Sequence, residues 1–401
     1  MKHVLILIDR LEGHRQIYCH VLTEVSLRQG FRVTIAAGGL LNNDSARRFP
    51  YVERYRGDPR VSLVDVGATG RGEALDRRGF ASLAARCEPD VVIFPEADSH
   101  LGALASSALP LRRRFRGRMV GVFIRSTNYI YQQSRLSRTT GVRRHLPRPS
   151  LSDPVLFHEF LMPRRHPVDA ALCLDENFVD GHRGTHTWLP DIYKPLDEIA
   201  ATFRNPDRQL RIERLDEFCE RNSGRFRLFY FGTAQGRRGY ATLLKLARDE
   251  DACFVHCGQR NRHEEQRTEV MSIRDALERE GRLLETDRFE DDPVVIDHFF
   301  GCADRMVLPY TGFWGSSGVM LQALEHGQPV LVAHQGLMGR RVSRHSLGMT
   351  LAGDDYEELR SQFRVFRSLP ASDFQEPIRL FMDPFRPESI EKVVSEALLP
   401  R

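Results

Sequence analysis

Val4 to Ile8 are five aliphatic residues in succession. A run this short and this unbroken predicts a strand over residues 2–8 that is buried on both faces of a parallel sheet. Both faces must then be covered by helices, and the following residues supply the first. A loop from Asp9 to Arg15 holds Gly13, Ile17, Val21 and Val25 recur at helical spacing, and Gly30 stands where a helix C-terminal cap belongs. A second strand over 31–37 completes a βαβ unit. Short apolar runs at 63–66, 91–95, 119–124 and 170–174 continue the series. Residues 1–190 are therefore expected to form one doubly wound, Rossmann-like α/β domain.

The chain has 401 residues, enough for two or three domains. Residues 188–224 change character, with Pro190, Pro195, Pro206 and many charges. They read as a crossover, 191–224, carrying one charged helix at about 208–221. A second strand–loop–helix unit then opens with a strand at 228–231, a loop at 232–239 and a helix from Tyr240. Further strands are expected at 252–257, 305–309 and 329–333, so 225–385 is a second Rossmann-like domain. In 386–401, Pro387 suits a first helical position. Ile390, Val393, Val394, Ala397 and Leu398 share one apolar stripe, so this C-terminal helix can pack back on the first domain. Two such domains facing each other would place a cleft between the C-terminal ends of their sheets, where ligands usually bind.

Several classes are excluded. The first apolar run is too short for a signal peptide, and no run approaches 18 apolar residues. The seven cysteines are odd in number and scattered, with no CxxC pairing. Reduced thiols and a cytoplasmic location are expected, and no structural metal site. A net charge of +4 names no partner. Only four of the 58 basic residues are lysine, which a coding bias explains.

Two stretches carry chemistry. In 308–333, a strand ends at Pro309, and Ser316, Ser317 and Gly318 precede a helix. A helix start offers free N–H groups and partial positive charge, and small residues let an anion approach; this is a phosphate site in physical terms. Gln322 lies one turn on, on the face of Gly318. A plain Ser N-cap explains the same residues. In 229–240, a strand enters a Gly-rich turn with Arg237 and Arg238, either of which can neutralise a phosphate. Gly-rich turns are common between strand and helix. Two such loops in one domain point to a diphosphate ligand.

On these residues the C-terminal half resembles the large retaining GT-B glycosyltransferase family. In that family, a strand ending in glycine is followed six residues on by a lysine that grips the donor diphosphate. Here the glycine is Gly232 and the matching position Arg238, followed by Gly239, while Thr233 replaces an arginine. GCADRMVLPY (301–310), GVMLQALEHGQPVLVA (318–333) and 336–355 are similar to the family's signature block. Two family glutamates with seven residues between them align with Trp314 and Gln322. The resemblance implies donor contacts from Gly232, Thr233, Arg238, Ser316, Ser317, Gly318 and Gln322, the last to the ribose. It also implies a nucleotide-diphosphate sugar as co-substrate, with no bound metal and no other cofactor.

In the N-terminal domain, Gly13 and His14 occupy the first strand-to-helix loop, which faces the cleft in this family; a packing glycine beside an exposed histidine is the plain alternative. Glu96, Asp98 and His100 follow a strand and can position acceptor hydroxyls or cap a helix near Leu101. Arg125 ends a strand where the family often has a histidine touching the donor sugar. Arg260 and Asn261 lie near the family's base site, where a turn explains them as well, while His256 and Asp304 look structural. No acidic residue stands between Asp98 and Asp153, a stretch with 11 arginines and with Phe115, Tyr129 and Tyr131 interleaved. It suits an anionic membrane face or a lipid-linked or acidic acceptor better than nucleic acid, for which no recognition motif is present; a solvated basic face fits too.

The resemblance implies a retaining, metal-independent sugar transfer to a hydroxyl acceptor in glycan, glycolipid or polysaccharide biosynthesis, with Arg238, Glu96 and Arg125 at the reacting centre. Two rivals stand beside it. A nucleotide-sugar 2-epimerase shares the fold and would need Glu96 and Asp98 as acid and base. A non-catalytic nucleotide-sugar-binding protein would explain Trp314.

Overall fold

The computed structural model describes residues 1–11, 15–38, 40, 49–66, 83–101, 104, 115, 117–124, 157–158, 162–165, 167–182, 184–195, 206–261 and 268–399. The chain divides into two compact units, Met1–Asp197 with Pro384–Arg401, and Glu198–Asp383.

The first unit is built on seven parallel strands: β1 (His3–Arg10), β2 (Arg32–Gly38), β3 (Val61–Asp65), β4 (Val91–Phe94), β5 (Arg118–Phe123), β6 (Ala170–Cys173) and β7 (His186–Trp188). Their order is β3-β2-β1-β4-β5-β6-β7, with β1 in the interior and Ile6 opposite both Ile35 and Ile93. The unbroken aliphatic run has the expected cause. Val4, Ile6 and Ile8 join one core, whereas Leu5 and Leu7 join another with Phe94 and Phe123. Helix α1 (Arg15–Arg28) packs Val21 and Val25 into the first of these cores. It ends at Gly30, whose φ of +78° lets its N–H reach the Leu27 carbonyl at 3.0 Å.

The C-terminal helix, Pro387–Leu398, belongs to this unit and has Pro387 in its first turn. Ile390, Val394, Ala397 and Leu398 enter the same core as α1. Arg28 pairs with Glu391 at 2.6 Å, and Arg118 Nε donates to the Ala397 carbonyl at 2.6 Å.

The second unit repeats the plan. β8 (Arg227–Phe231), β9 (Cys253–Cys257) and β10 (Leu283–Glu285) pair in the order β10-β9-β8. β11 (Met306–Leu308), β12 (Val330–Ala333) and β13 (Gly348–Leu351) pair in the order β11-β12-β13. A parallel bridge, Leu228 to Arg305, places β8 beside β11. The helices are α2 (Arg208–Arg221), α3 (Tyr240–Asp249), α4 (Thr268–Arg279), α5 (Pro293–Cys302), α6 (Gly318–Glu325), α7 (Gly336–His345), α8 (Tyr356–Ser368) and α9 (Ser372–Met382).

Highly charged α2 buries only Leu215 and Phe218 and packs on α5; Arg208 pairs with Asp292 at 2.8 Å. The helix expected within the crossover is thus the second unit's first helix. In each unit the strand order reverses beside the first strand, which opens a crevice at the strands' C-terminal ends. All seven cysteines are free thiols, and no helix among the described residues is long and apolar enough to cross a membrane.

Candidate functional site

The crevice of the second unit lies between β8 and β11, and both phosphate-type loops leave from it. β8 ends at Phe231, and Gly232 turns the chain with φ +100°. A tight turn, Gly236–Arg238, leads to Gly239 at φ +78° and then α3. A Cβ at Gly239 would stand 2.5 Å from Pro309 Cγ, so only glycine lets this loop lie against the end of β11. Thr311 N–H donates to the Arg237 carbonyl at 2.9 Å and ties the two loops together. The Thr233 carbonyl accepts from Tyr230 Oη at 3.0 Å.

Arg238 is the central cation. Its Nη2 donates to Tyr310 Oη at 3.0 Å, and its guanidinium carbon lies 5.3 Å and 5.8 Å from the ring centres of Tyr310 and Tyr230. Nη1 sits 2.7 Å from where a Gly232 Cβ would be, so the bare glycine makes room for it. Burial pushes the Tyr230 phenol up to about 12, even with Arg238 close by to lower it, so it is neutral. No carboxylate among the described residues pairs with Arg238. A half-buried guanidinium clamped by phenols and left without a counter-ion is suited to an anion. Exposed Arg237 offers its carbonyl to the loop contact instead.

The second loop runs from β11 to α6. Ser317 caps α6, its Oγ accepting from the Met320 N–H at 3.3 Å, so the plain N-cap reading holds for it. Ser316 Oγ accepts from Arg341 Nη1 at 2.9 Å, and Arg341 is almost wholly buried. Each hydroxyl spends a lone pair on these bonds and keeps its hydrogen to donate. Gly318 is the first residue of α6. One turn on, Gln322 Oε1 is shielded from water with no donor among the described residues. Trp314 is buried, its carbonyl accepts from Leu337 N–H at 2.9 Å, and α7 presses on it: a Cβ at Gly336 would stand 2.7 Å from Trp314 Cα.

In the first unit, Glu96, Asp98 and His100 follow β4 as expected, and all three are buried. They do not form an open cluster. Glu96 is held by Arg15 through bonds of 2.5 and 3.2 Å. Asp98 Oδ2 accepts from Ile124 N–H at 2.5 Å, which fixes the end of β5. The His100 ring lies 5.4 Å from that of Phe94. Glu96 precedes the single turn Ala97–His100 and makes no cap bond to it. Gly13, His14 and Arg125 lie outside the described residues, as do the basic-stretch arginines other than Arg118.

Sequence reasoning missed Tyr310 and Tyr230, which hold Arg238, and Arg341, which holds Ser316. Tyr310 carried a signal, since it follows Pro309 at the end of a strand that feeds the site. Arg260, noted near the base position, pairs with Asp287. Asp304 is structural, binding Arg227 through backbone and side chain.

Comparison of the whole chain with solved structures decides the fold. HepE from Anabaena, in complex with UDP and glucose, superposes with a TM-score of 0.63 at 14% identity over 99% of each chain. The chain has the GT-B fold. Sucrose-phosphate synthase from Thermosynechococcus elongatus gives a TM-score of 0.63 at 13% identity, covering 99% of this chain and 98% of the other. A UDP-GlcNAc 2-epimerase from Neisseria meningitidis, bound to UDP-GlcNAc, gives 0.58 at 12% identity over 99% of each. No protein-family model matches the chain, and comparison with curated protein sequences finds no significant match.

Proposed function

We propose that this GT-B chain is a glycosyltransferase that moves a sugar from a nucleotide-diphosphate sugar to a hydroxyl acceptor with retention, in glycan, glycolipid or polysaccharide biosynthesis. The observation that carries the reading is Arg238, a clamped guanidinium without a carboxylate partner among the described residues, set beside the loop that starts α6. In this reading Gly232, Thr233 and Arg238 meet the diphosphate together with Ser316, Ser317 and Gly318. Gln322, whose Oε1 lacks a donor among the described residues, takes a ribose hydroxyl.

Arg238 and the α6 start would stabilise the departing diphosphate as its charge develops. The acceptor oxygen bonds to the anomeric carbon while the carbon–phosphate-oxygen bond breaks, and a departing phosphate oxygen takes the acceptor's proton. No protein nucleophile, metal or further cofactor enters this scheme. On the acceptor side the proposal keeps Gly13, His14, Asp98 and His100, with Glu96 and Arg125 near the reacting sugar. Glu96 is tied to Arg15 through two bonds, at 2.5 and 3.2 Å. That counts against the epimerase reading, which needs Glu96 and Asp98 to exchange protons. The acceptor is proposed to be anionic or lipid-linked and presented at the cytoplasmic membrane face.

Thermal-shift screening against nucleotide sugars and free nucleotides tests the donor half. Uridine nucleotides come first, because HepE and the epimerase are seen with them. A ligand at 100 times its dissociation constant should add about 2.7 kcal/mol of stability. Product analysis then separates glycosylated acceptor from epimerised donor or unchanged donor. Failure of every nucleotide to shift the transition would overturn the reading.

A further inference from the structure

The second unit carries a pair of cysteines that the reading above does not use. Helices α2 and α5 pack side by side and are pinned by side-chain pairs along their length. Arg208 meets Asp292 at 2.8 Å where the two helices begin, and two turns on Asp216 meets His298 Nε2 at 2.7 Å. One further turn along each helix stand Cys219 and Cys302, three residues after Asp216 and four after His298, so each shares a helix face with one member of that pair. This register brings the two sulfurs into hydrogen-bond contact.

The two sulfurs are not equivalent. Cys219 also bonds the guanidinium of Arg227, the first residue of β8. Arg227 is fixed in turn by Asp304, at 2.6 Å from Nη2 and 2.8 Å from its backbone N–H. Cys302 instead donates its S–H to the Phe299 carbonyl at 3.0 Å. A carbonyl only accepts, so that bond keeps a proton on Cys302, while the cation faces the other sulfur. The remaining charges agree. The contact with Cys302 and the Arg227 guanidinium lower the Cys219 thiol, although burial and Asp216 oppose them. Asp216 is itself answered by His298. Cys302 is raised by Cys219, by burial and by Asp304.

A thiol beside a cation and within reach of solvent is the reactive kind. Cys219 and Cys302 are only partly buried, whereas Cys19, Cys173, Cys253 and Cys257 are enclosed. Burial pushes Cys19 up to about 12 and Cys253 up to about 11. Cys87, also partly buried, is raised by its burial.

We propose that Cys219 and Cys302 form a dithiol that a hydroperoxide oxidises to an intramolecular disulfide, with Cys219 the attacking sulfur and Cys302 the resolving one. The Cys219 sulfur bonds to the distal oxygen of the hydroperoxide; the O–O bond breaks, and an alcohol, or water from hydrogen peroxide, leaves. The Cys302 sulfur then gives up its proton and attacks the Cys219 sulfenic acid. The S–S bond forms, the S–O bond breaks, and the oxygen departs as water. The two thiols lose two electrons and two protons, and the hydroperoxide becomes an alcohol and water. The sulfurs must close to about 2 Å, and Cys302 is the last residue of α5, where a helix end can yield. The bond would tie α2 to α5 at the N-terminal ends of β8 and β11, away from the crevice, so it stands whether or not the crevice takes a nucleotide sugar.

The test treats the full reduced chain with a modest excess of hydrogen peroxide at neutral pH, blocks the remaining thiols in denaturant and maps tryptic peptides. Cleavage after arginine releases Leu215–Arg221 and Phe289–Arg305, which are expected to be joined by a disulfide within one chain and freed by dithiothreitol. Cys219 should react at least about tenfold faster than Cys87, and its alkylation rate should level off below the usual thiol range of about 8.5. In Cys302→Ser the reaction should stop at a sulfenic acid on Cys219, trapped by dimedone; in Cys219→Ser, Cys302 should stay a thiol. Should either variant not fold, the peptides of the unaltered chain decide. Unlinked peptides after Cys219 is consumed, a Cys219 no more reactive than Cys87, or oxidation of Cys302 in Cys219→Ser overturns the proposal.

Discussion

Arg238→Ala separates a structural arginine from one that meets a developing anion. In the folded protein the side chain makes one hydrogen bond, to Tyr310, and lies over two phenol rings at 5.3 and 5.8 Å. A part-buried cation–π contact contributes about 0.5–1 kcal/mol, and removal leaves no carboxylate stranded. The stability loss should be about 1–2 kcal/mol. For a unit of this size that is a drop of roughly 2–8 °C in Tm. Loss of a charge-assisted contact to the leaving diphosphate should cost about 2.7–4 kcal/mol in the transition state, or 10²–10³ in turnover. Steady-state sugar transfer at saturating donor, paired with a calorimetric melt of the same preparation, measures both. Turnover within about a factor of three of the parent would refute the reasoning, as would a collapse in Tm that accounts for the lost activity.

Gln322→Ala should weaken free nucleoside diphosphate and donor alike, by about 2–13-fold for one neutral hydrogen bond, as read by calorimetry. Against its burial, the bonds with His256 and Tyr240 and the Arg274 charge hold Glu285 down to about 2, so its contribution to stability is present above its unfolded value of about 4.5 and fades as pH falls toward 2. Denaturation of Glu285→Gln should show a deficit of about 3 kcal/mol at neutral pH that shrinks steadily below pH ~4.5; a pH-independent deficit contradicts the shift. Turnover should survive a chelator, because arginine can neutralise the diphosphate; complete loss restored by metal would overturn that part of the mechanism. The arginine-rich stretch between Asp98 and Asp153 should give salt-sensitive co-sedimentation with anionic liposomes, at about 1 kcal/mol per engaged arginine, and none with zwitterionic ones. Equal recovery in the supernatant under all conditions removes the membrane contact.

Much of the architecture was legible because burial on both faces leaves a mark within a few residues. The run Val4–Ile8 reads as an interior parallel strand, and Gly30 and Pro387 mark helix ends through their own φ preferences. β7 and β10 have three residues each, too few for any periodicity, and went unread. The loop after β8 was legible for the same local reason: positive φ at Gly232 and Gly239 demands glycine whatever lies around them.

What a charged side chain does was not legible, because its partner is set by strand order and not by sequence distance. Glu96 and Asp98 stand two residues apart and invite an acid–base pair. Their actual partners are Arg15, on α1, and the backbone of Ile124, brought beside them by the β1-β4-β5 pairing. His256 looked like core, yet parallel pairing of β8, β9 and β10 sets its two nitrogens against a carbonyl and a carboxylate. The loop by itself leaves Arg237 and Arg238 as alternatives, and the resemblance to the GT-B family points to Arg238. That it is clamped by Tyr230 and Tyr310, with no carboxylate among the described residues to neutralise it, is a property of the assembled crevice. Local sequence dictates backbone conformation, because steric preference acts within a residue or two; whether a buried charge is spent or available depends on every element folded around it.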